Sequence, residues 1–286
     1  MEKRIRKEFG CGRVWEEAMI RAAVLGSPIS HSLSPVLHRT AYEKLGIVGH
    51  YEAIDVTAEN LKDFVAGMDK SWTGLSLTMP LKEEVLRIAD EVDPLALRIQ
   101  SANTLIRADG GWKAITTDVN GFTHGLIAAG ASDFTHVVIL GSGATARAAA
   151  AACDGYGRHI TVIHRTHARE AAMQKAVEMA DLAFCEWGSD LVDAELLINA
   201  TPGGVADAYA ERLTSPVHGI LFESLYNPWP TKLIARWRAL NGLGIDGLDL
   251  LVHQGIDQVE LMTGMRVNRA DLAPVLRRAC LAAMAA

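Results

Sequence analysis

A chain of 286 residues with a formal net charge of −6 has no basic field with which to hold a phosphate backbone, so nucleic acid is excluded as the expected partner and a small molecule takes its place. A hydrophobic fraction of 49% beside a charged fraction of 22% is that of a globular protein, and no uninterrupted apolar run has the length to cross a bilayer, which excludes a membrane partner. Four cysteines, Cys11, Cys153, Cys185 and Cys280, lack C-x-x-C spacing and point to free thiols in a reducing compartment, the cytoplasm, with no disulfide framework and no metal site.

The opening stretch, MEKRIRKEFGCGRVWEEA, mixes both signs of charge and has no apolar h-region. Neither a secretory signal nor a transit peptide fits, so residues 1–18 are expected to be a frayed extension, with Met19 a candidate start. From residue 20, strand-like runs alternate with amphipathic stretches: AAVLG, a helix over 35–47, YEAIDV, a helix over 57–68, GLSLTM and a helix over 82–92. This is the β-α-β rhythm of a mainly parallel sheet. In GLSLTM, Leu75, Leu77 and Met79 alternate with Ser76 and Thr78 as in a half-buried strand. Lys82 follows at once, where propensity does not separate a solvated surface charge from a working group.

The join around 104–120 reads as short. A second series then runs HVVILG, an Ala-rich helix, HITVIHR, a helix over 167–180, ELLINAT and GILFES, the rhythm of a dinucleotide-binding unit. From Leu248 the spacing of Leu, Val, Ile and Met is helical, and a second helix covers 269–285. With no strand to pair with, these helices are expected to pack back on the first unit.

Three stretches carry chemistry. VVILGSGATARAAA sets Gly141, Gly143 and Ala146 as G-x-G-x-x-A between strand and helix, where absent side chains let the backbone approach a pyrophosphate at a helix N-terminus. Such glycine turns also occur without a ligand. The next strand ends at IHRTHAR with Arg165 and no acidic residue, which suits a 2′-phosphate, hence NADP, because the planar guanidinium matches phosphate oxygens. In SPISHSLSPVLH, an extended 30–34 points Ser32 and Ser34 to one side. Ser34 before Pro35 is there an N-cap, and hydroxyls beside free helix N–H groups make an anion site. His31 and His38 read as structural.

Taken together, GSPISHSLSP, SLTMPLK, SANTL, TTDVNG, GSGATA, HRT, NATPGG, YNPWPTKL and GLDLLVHQ follow the order and rough spacing of the shikimate dehydrogenase family, and the resemblance covers about residues 19 to 270. It implies an α/β fold: a substrate-binding and catalytic domain over 19–117 with a mainly parallel sheet, completed by C-terminal helices in 248–286, and an inserted Rossmann NADP-binding domain over 118–247. It implies NADP-dependent, reversible reduction of 3-dehydroshikimate to shikimate in aromatic amino-acid biosynthesis, by a monomer or homodimer.

By the same resemblance Ser32 and Ser34 hold the substrate carboxylate, while Thr78, Asn103, Tyr226 and Gln254 take ring hydroxyls or the carboxylate. Lys82 and Asp118 form the catalytic pair and also touch substrate. Gly141, Ser142, Gly143, Ala144, Thr145, His164, Arg165, Thr166, Arg169 and Gly247 fall on cofactor positions. Three residues depart from the family pattern: Ser76 and Thr116 where asparagine is usual, and Ala144 where glycine is usual. The first two bear on substrate affinity and the third on cofactor fit. The rival readings are a quinate/shikimate dehydrogenase using NAD, which Arg165 opposes, and a non-catalytic ligand-binding regulator, which has no need to keep both Lys82 and Asp118.

Overall fold

The structure, a computed structural model, describes residues 19–131, 133–191 and 194–285. The expected extension over 1–18, with Cys11, lies outside the described residues. Two sheets of six strands divide the chain. The first contains β1 (Ile20–Gly26), β2 (Gly49–Asp55), β3 (Gly74–Leu77), β4 (Glu91–Val92), β5 (Thr104–Ala108) and β6 (Gly111–Ile115) in the order β2-β1-β3-β5-β6-β4. The second contains β7 (Phe134–Leu140), β8 (Gly157–His164), β9 (Asp181–Glu186), β10 (Leu196–Asn199), β11 (Ile220–Glu223) and β12 (Leu243–Ile245) in the order β12-β11-β10-β7-β8-β9.

The second sheet is parallel throughout, with the doubly wound order of a dinucleotide-binding fold. Its order reverses between β7 and β10, so a ligand crevice forms beyond their carboxyl ends, where Gly141 and Ala200 lie. The first sheet is mixed. β2, β1 and β3 run parallel, but β5 and β6 form an antiparallel hairpin closed by Asp109 and Gly110. The stretch read as a short join is therefore sheet, and its Asp-Gly pair between strands was the available signal. β3 is buried at all four residues, since it lies inside the sheet between β1 and β5 with both faces covered, so the half-buried reading of GLSLTM fails for the strand itself. Only beyond the strand, at Met79, is the chain exposed.

The helices are α1 (Ser34–Leu45), α2 (Leu61–Ala66), α3 (Leu81–Glu84), α4 (Pro94–Arg98), α5 (Asp118–Ala128), α6 (Ala144–Cys153), α7 (Glu170–Ala176), α8 (Asp207–Arg212), α9 (Lys232–Ala239), α10 (Gly247–Thr263) and α11 (Arg269–Met284). The helix expected over 82–92 is only α3 followed by a 3₁₀ turn at Val85–Arg87, and Glu91 and Val92 pair with β6 instead. α10 starts on a capping box of Asp246 and Asp249.

As anticipated, α10 and α11 return to the first sheet: Leu251, Val252, Ile256, Leu272 and Leu276 share a core with Ile20, Ala22 and Val24. α5 leaves that sheet and buries Phe122 and Leu126 among Val137, Ile139 and Ile198 of the second. α5 and α10 lie against each other at Gly121, where a Cβ would stand 2.9 Å from that of Gln254. No helix among the described residues is long and apolar enough to cross a membrane.

Candidate active site

Lys82 sits on α3, one residue past the turn that ends β3, and Asp118 opens α5. Thr78 and Pro80 set this turn: the Thr78 amide donates to Leu25 O at 2.9 Å, and the Leu81 amide donates to Thr78 O at 2.8 Å. The ammonium of Lys82 donates to Asp118 Oδ2 at 2.6 Å, with the lysine side chain 16% exposed and the carboxylate 4%. Asp118 Oδ1 accepts from Asn103 Nδ2 at 2.9 Å, so each carboxylate oxygen has its own donor and the helix N-terminus adds favourable potential. Lys82 is thus not surface decoration: its charge is largely withdrawn from water and aimed at one oxygen.

Asn103 is the hub. Its amide also donates to Thr117 Oγ1 at 2.9 Å and Gln254 Oε1 at 3.0 Å, while its carbonyl accepts from the Thr117 amide at 2.8 Å and from Thr104 Oγ1 at 3.0 Å. The network continues inward through Gln258, whose Nε2 donates to Asn103 O at 3.1 Å and Thr104 Oγ1 at 3.0 Å. Gln258 Oε1 accepts from Ser76 Oγ at 2.7 Å and from His38 Nε2 at 3.3 Å; Ser76 in turn accepts from Tyr51 Oη at 2.6 Å. The His38 ring stacks on Tyr51 at 3.9 Å. Burial drives the His38 pKa down to about 3, so this imidazole is neutral, and burial raises the Tyr51 phenol well above its ordinary value.

Reading His38 as structural agrees with its place here, and the departure at Ser76 is used by the fold as a link between Tyr51 and Gln258. Thr117 and Gln258 were not singled out from the sequence. Gln258 lies one helical turn after Gln254, and that i, i+4 spacing was the signal for it. The second departure from the usual asparagines, Thr116, has a buried Oγ1 without a partner among the described residues.

Ser32 and Ser34 come together, though not as an extended segment. Residues 30–31 turn, the Ser32 amide donates to Ile29 O at 3.0 Å, and Leu33 already has helical angles, φ −87 and ψ −3. Ser34 is therefore the first residue of α1 rather than its cap, and its amide donates to Ser32 Oγ at 3.3 Å. The cap position falls to Leu33, whose helical angles start α1 one residue earlier than expected and whose apolar side chain offers no capping bond, while Ser32 braces the turn before it. The Tyr226 phenol meets this turn: burial raises its pKa, and hydrogen bonding with the Leu33 backbone and the Ser32 side chain draws it partly back. A phenol so placed stays protonated, beside two hydroxyls and a helix N-terminus, and the group suits a carboxylate.

At the other end, Gly141 follows β7 with φ +104, an angle open to glycine, and a Cβ there would stand 3.0 Å from Ala200 O. Ser142 is buried, Gly143 caps α6 in an extended conformation, and Ala144 and Thr145 form its first turn. A Cβ on Gly143 would meet Arg169 Nη1 at 3.2 Å, so a guanidinium stands over the free amides of α6. Arg165 and Thr166 line a cavity of ≈350 Å³ with His164, His167, Glu186 and Trp187. The last three lining residues were not foreseen. These features fit a phosphate-bearing dinucleotide: a cradle a side chain would fill, a helix N-terminus, and two exposed arginines beside a cavity.

His164, His167 and Glu170 bring ligand atoms within 4.8 Å of one another. His164 Nε2 and His167 Nδ1 lie against Glu170 Oε1, at 3.1 and 2.6 Å, and Arg165 lines the same cavity, while His164 Nδ1 is buried without a partner among the described residues. Gly247 is set by packing, since a Cβ there would fall 2.4 Å from the Leu225 carbonyl carbon.

Residues 24–105 match the family model described as the shikimate dehydrogenase substrate binding domain, and residues 247–277 match the model described as the shikimate 5'-dehydrogenase C-terminal domain. The chain is 34% identical over 265 residues to a Thermus thermophilus protein named shikimate dehydrogenase (NADP(+)), covering 91% of this chain and 99% of that one. Among solved structures, a Mycobacterium tuberculosis shikimate dehydrogenase aligns with a TM-score of 0.83 at 37% identity, covering 90% of this chain and 98% of the other. A Thermus thermophilus shikimate 5-dehydrogenase in complex with NADP(H) and shikimate aligns with a TM-score of 0.79 at 33% identity, covering 91% of this chain and 100% of the other.

Proposed function

The chain belongs to the shikimate dehydrogenase family, and from that premise we propose that it reduces 3-dehydroshikimate reversibly to shikimate with NADP as the redox partner, in the pathway to aromatic amino acids. The observation that carries the reading is the Lys82–Asp118 ion pair at 2.6 Å, held by Asn103 at the mouth of a buried polar network. When bound, NADPH supplies the hydride; the protein orients the reactants and manages one proton.

Lys82 holds that proton at Nζ. Its ammonium donates toward the ring oxygen, stabilises the negative charge that develops there, and delivers the proton as the alcohol forms. In the oxidative direction the amine takes the proton back. Asp118 orients the ammonium through Oδ2 and is itself kept from rotating by Asn103. Ser32, Ser34 and Tyr226 hold the substrate carboxylate, and Thr78, Asn103 and Gln254 take the ring hydroxyls. Gly141, Ser142, Gly143, Ala144 and Thr145 cradle the pyrophosphate, Arg165, Thr166 and Arg169 hold the 2′-phosphate, and His164 and Gly247 shape the pocket. We read 118–247 as the cofactor domain and 19–117 with 248–286 as the substrate domain.

Initial rates with shikimate and quinate, each against NADP and NAD, test this reading. Shikimate with NADP is expected to be the preferred pair by at least tenfold in kcat/KM, an energy difference of about 1.4 kcal/mol. A preference for NAD removes the role given to Arg165, and a preference for quinate removes the substrate.

A further inference from the structure

Arg147 lies on the first turns of α6, the helix whose N-terminus carries the glycine cradle, yet its side chain is 3% exposed and none of its hydrogen-bond partners belongs to the second sheet. Its Nε donates to Ile99 O at 2.6 Å, and its Nη2 donates to Gln100 O at 2.9 Å and to Glu83 Oε1 at 2.7 Å. Ile99 is the C-cap of α4, so its carbonyl is among those a helix end leaves without an intrahelical partner, and a cation is favoured there. Gln100 has φ +51, an angle rare for a residue with a side chain, and its carbonyl is held by the same guanidinium.

Both ends of this clamp run directly to the chemistry. Glu83 is the neighbour of Lys82 on α3. The segment leaving Gln100 passes through Ala102, whose amide donates to Lys82 O at 2.9 Å, and reaches Asn103, which holds Asp118. A second cation crosses the same junction: Arg98 of α4, itself partly exposed, pairs with exposed Glu178 beyond α7 and lies 3.9 Å from buried Asp154. The Glu178 contact is screened by water, and the Asp154 separation exceeds a hydrogen bond. The buried fork of Arg147 is the rigid link.

We propose that Arg147 is a positioning residue for hydride transfer, fixing the helix that carries the cofactor cradle against the two segments that carry Lys82 and Asn103. The inference rests on the function proposed above. A planar fork reaching two carbonyls and a carboxylate defines position as well as distance, whereas lysine offers a single point of charge.

The experiment is single-turnover hydride transfer from NADPH to 3-dehydroshikimate, followed at the nicotinamide absorbance, together with NADPH affinity by fluorescence and thermal melting. Arg147→Lys is expected to slow the transfer step about tenfold or more, as a small misplacement of reacting groups does, with NADPH affinity and substrate KM within threefold of wild type. A purely structural Arg147 would lower the melting temperature and leave the transfer rate alone. Glu83→Gln changes a half-exposed partner and is expected to fold as the wild type does while slowing transfer about threefold, a few tenths of the larger effect. Transfer rates unchanged in both folded variants, or a loss that merely follows weakened NADPH binding, overturn the proposal. A wild-type chain that transfers no hydride in this assay refutes instead the function on which it rests.

Discussion

The Lys82 end of the site and the glycine-loop end are built on opposite plans. Around Asp118 nearly every polar atom has a partner within the protein, and Asn103, Thr104, Thr117, Gln254 and Gln258 are all buried. Around Gly143 the polar groups stand in water: the charged Arg165 and Arg169 and the hydroxyl-bearing Thr166 are exposed. A proton donor must be aimed before the substrate arrives, because a misdirected ammonium stabilises nothing in the transition state. A phosphate subsite has no such need, since mobile cations close around a doubly charged group and gain by being desolvated with it. On the function proposed above, the catalytic end would be inherited from the fold and the cofactor end completed by its ligand. If that contrast is right, substitutions at the first end reduce kcat and those at the second reduce affinity.

The largest effect is expected at Lys82. Lys82→Ala is predicted to cut kcat by about 10²–10⁴-fold with substrate KM nearly unchanged, measured by steady-state kinetics with circular dichroism as the folding control. A folded variant with near-wild-type kcat removes the lysine from the mechanism. Asp118→Asn should cost a comparable factor, and the double variant should fall far short of the product, because two groups that move one proton fail as a unit.

Arg165→Ala comes next and tests the opposite end. It is expected to raise KM for NADP about 30-fold, the equivalent of about 2 kcal/mol for a charge-assisted contact, with kcat and the response to NAD little changed. Equal losses with both nucleotides would mean that the arginine does not touch the 2′-phosphate.

The inner part of the catalytic network predicts a pH effect on stability. The folded pKa of His38, about 3, lies below its ordinary value of 6.5, so the unfolded chain binds the proton more readily. The stability this histidine allows is complete above pH 6.5 and is lost as pH falls from 6.5 toward 3. At one unit below 6.5 its share of the loss is about 1.4 kcal/mol relative to pH 8. His253, lowered to about 4 by burial, acts in the same direction. Urea unfolding at pH 8 and pH 5.5 should show a smaller fall for His38→Gln than for the wild type, and identical falls would remove His38 from the acid response.

The smallest effect concerns the anchor. Ser32→Ala is expected to raise KM for shikimate about fivefold, worth about 1 kcal/mol, and to leave kcat nearly intact, since a carboxylate contact remote from the reacting carbon is uniform binding. An unchanged KM reduces Ser32 to a brace of the turn before α1, through the bond its Oγ accepts from the Ser34 amide.

Several local features were legible in the sequence alone. The strand-glycine-helix punctuation around Gly141, the missing acid after β8, the helical spacing from Leu248 and the motif set from Ser32 to Gln254 each lie within a few residues, and short-range backbone geometry and side-chain periodicity are what such windows encode. The Asp-Gly turn between β5 and β6 was equally local and went unread. Tertiary structure alone decided the rest. That β3 is buried on both faces depends on β1 and β5 lying beside it, and that Ser34 opens α1 instead of capping it depends on the dihedral angles of Leu33. Gln258 meets Ser76 across 182 positions and Arg147 meets Glu83 across 64, contacts that no window contains. Their physical reason is shared: a buried donor or acceptor must find a partner, and inside a packed core that partner is chosen by proximity in space, which only the completed arrangement of sheets and helices defines.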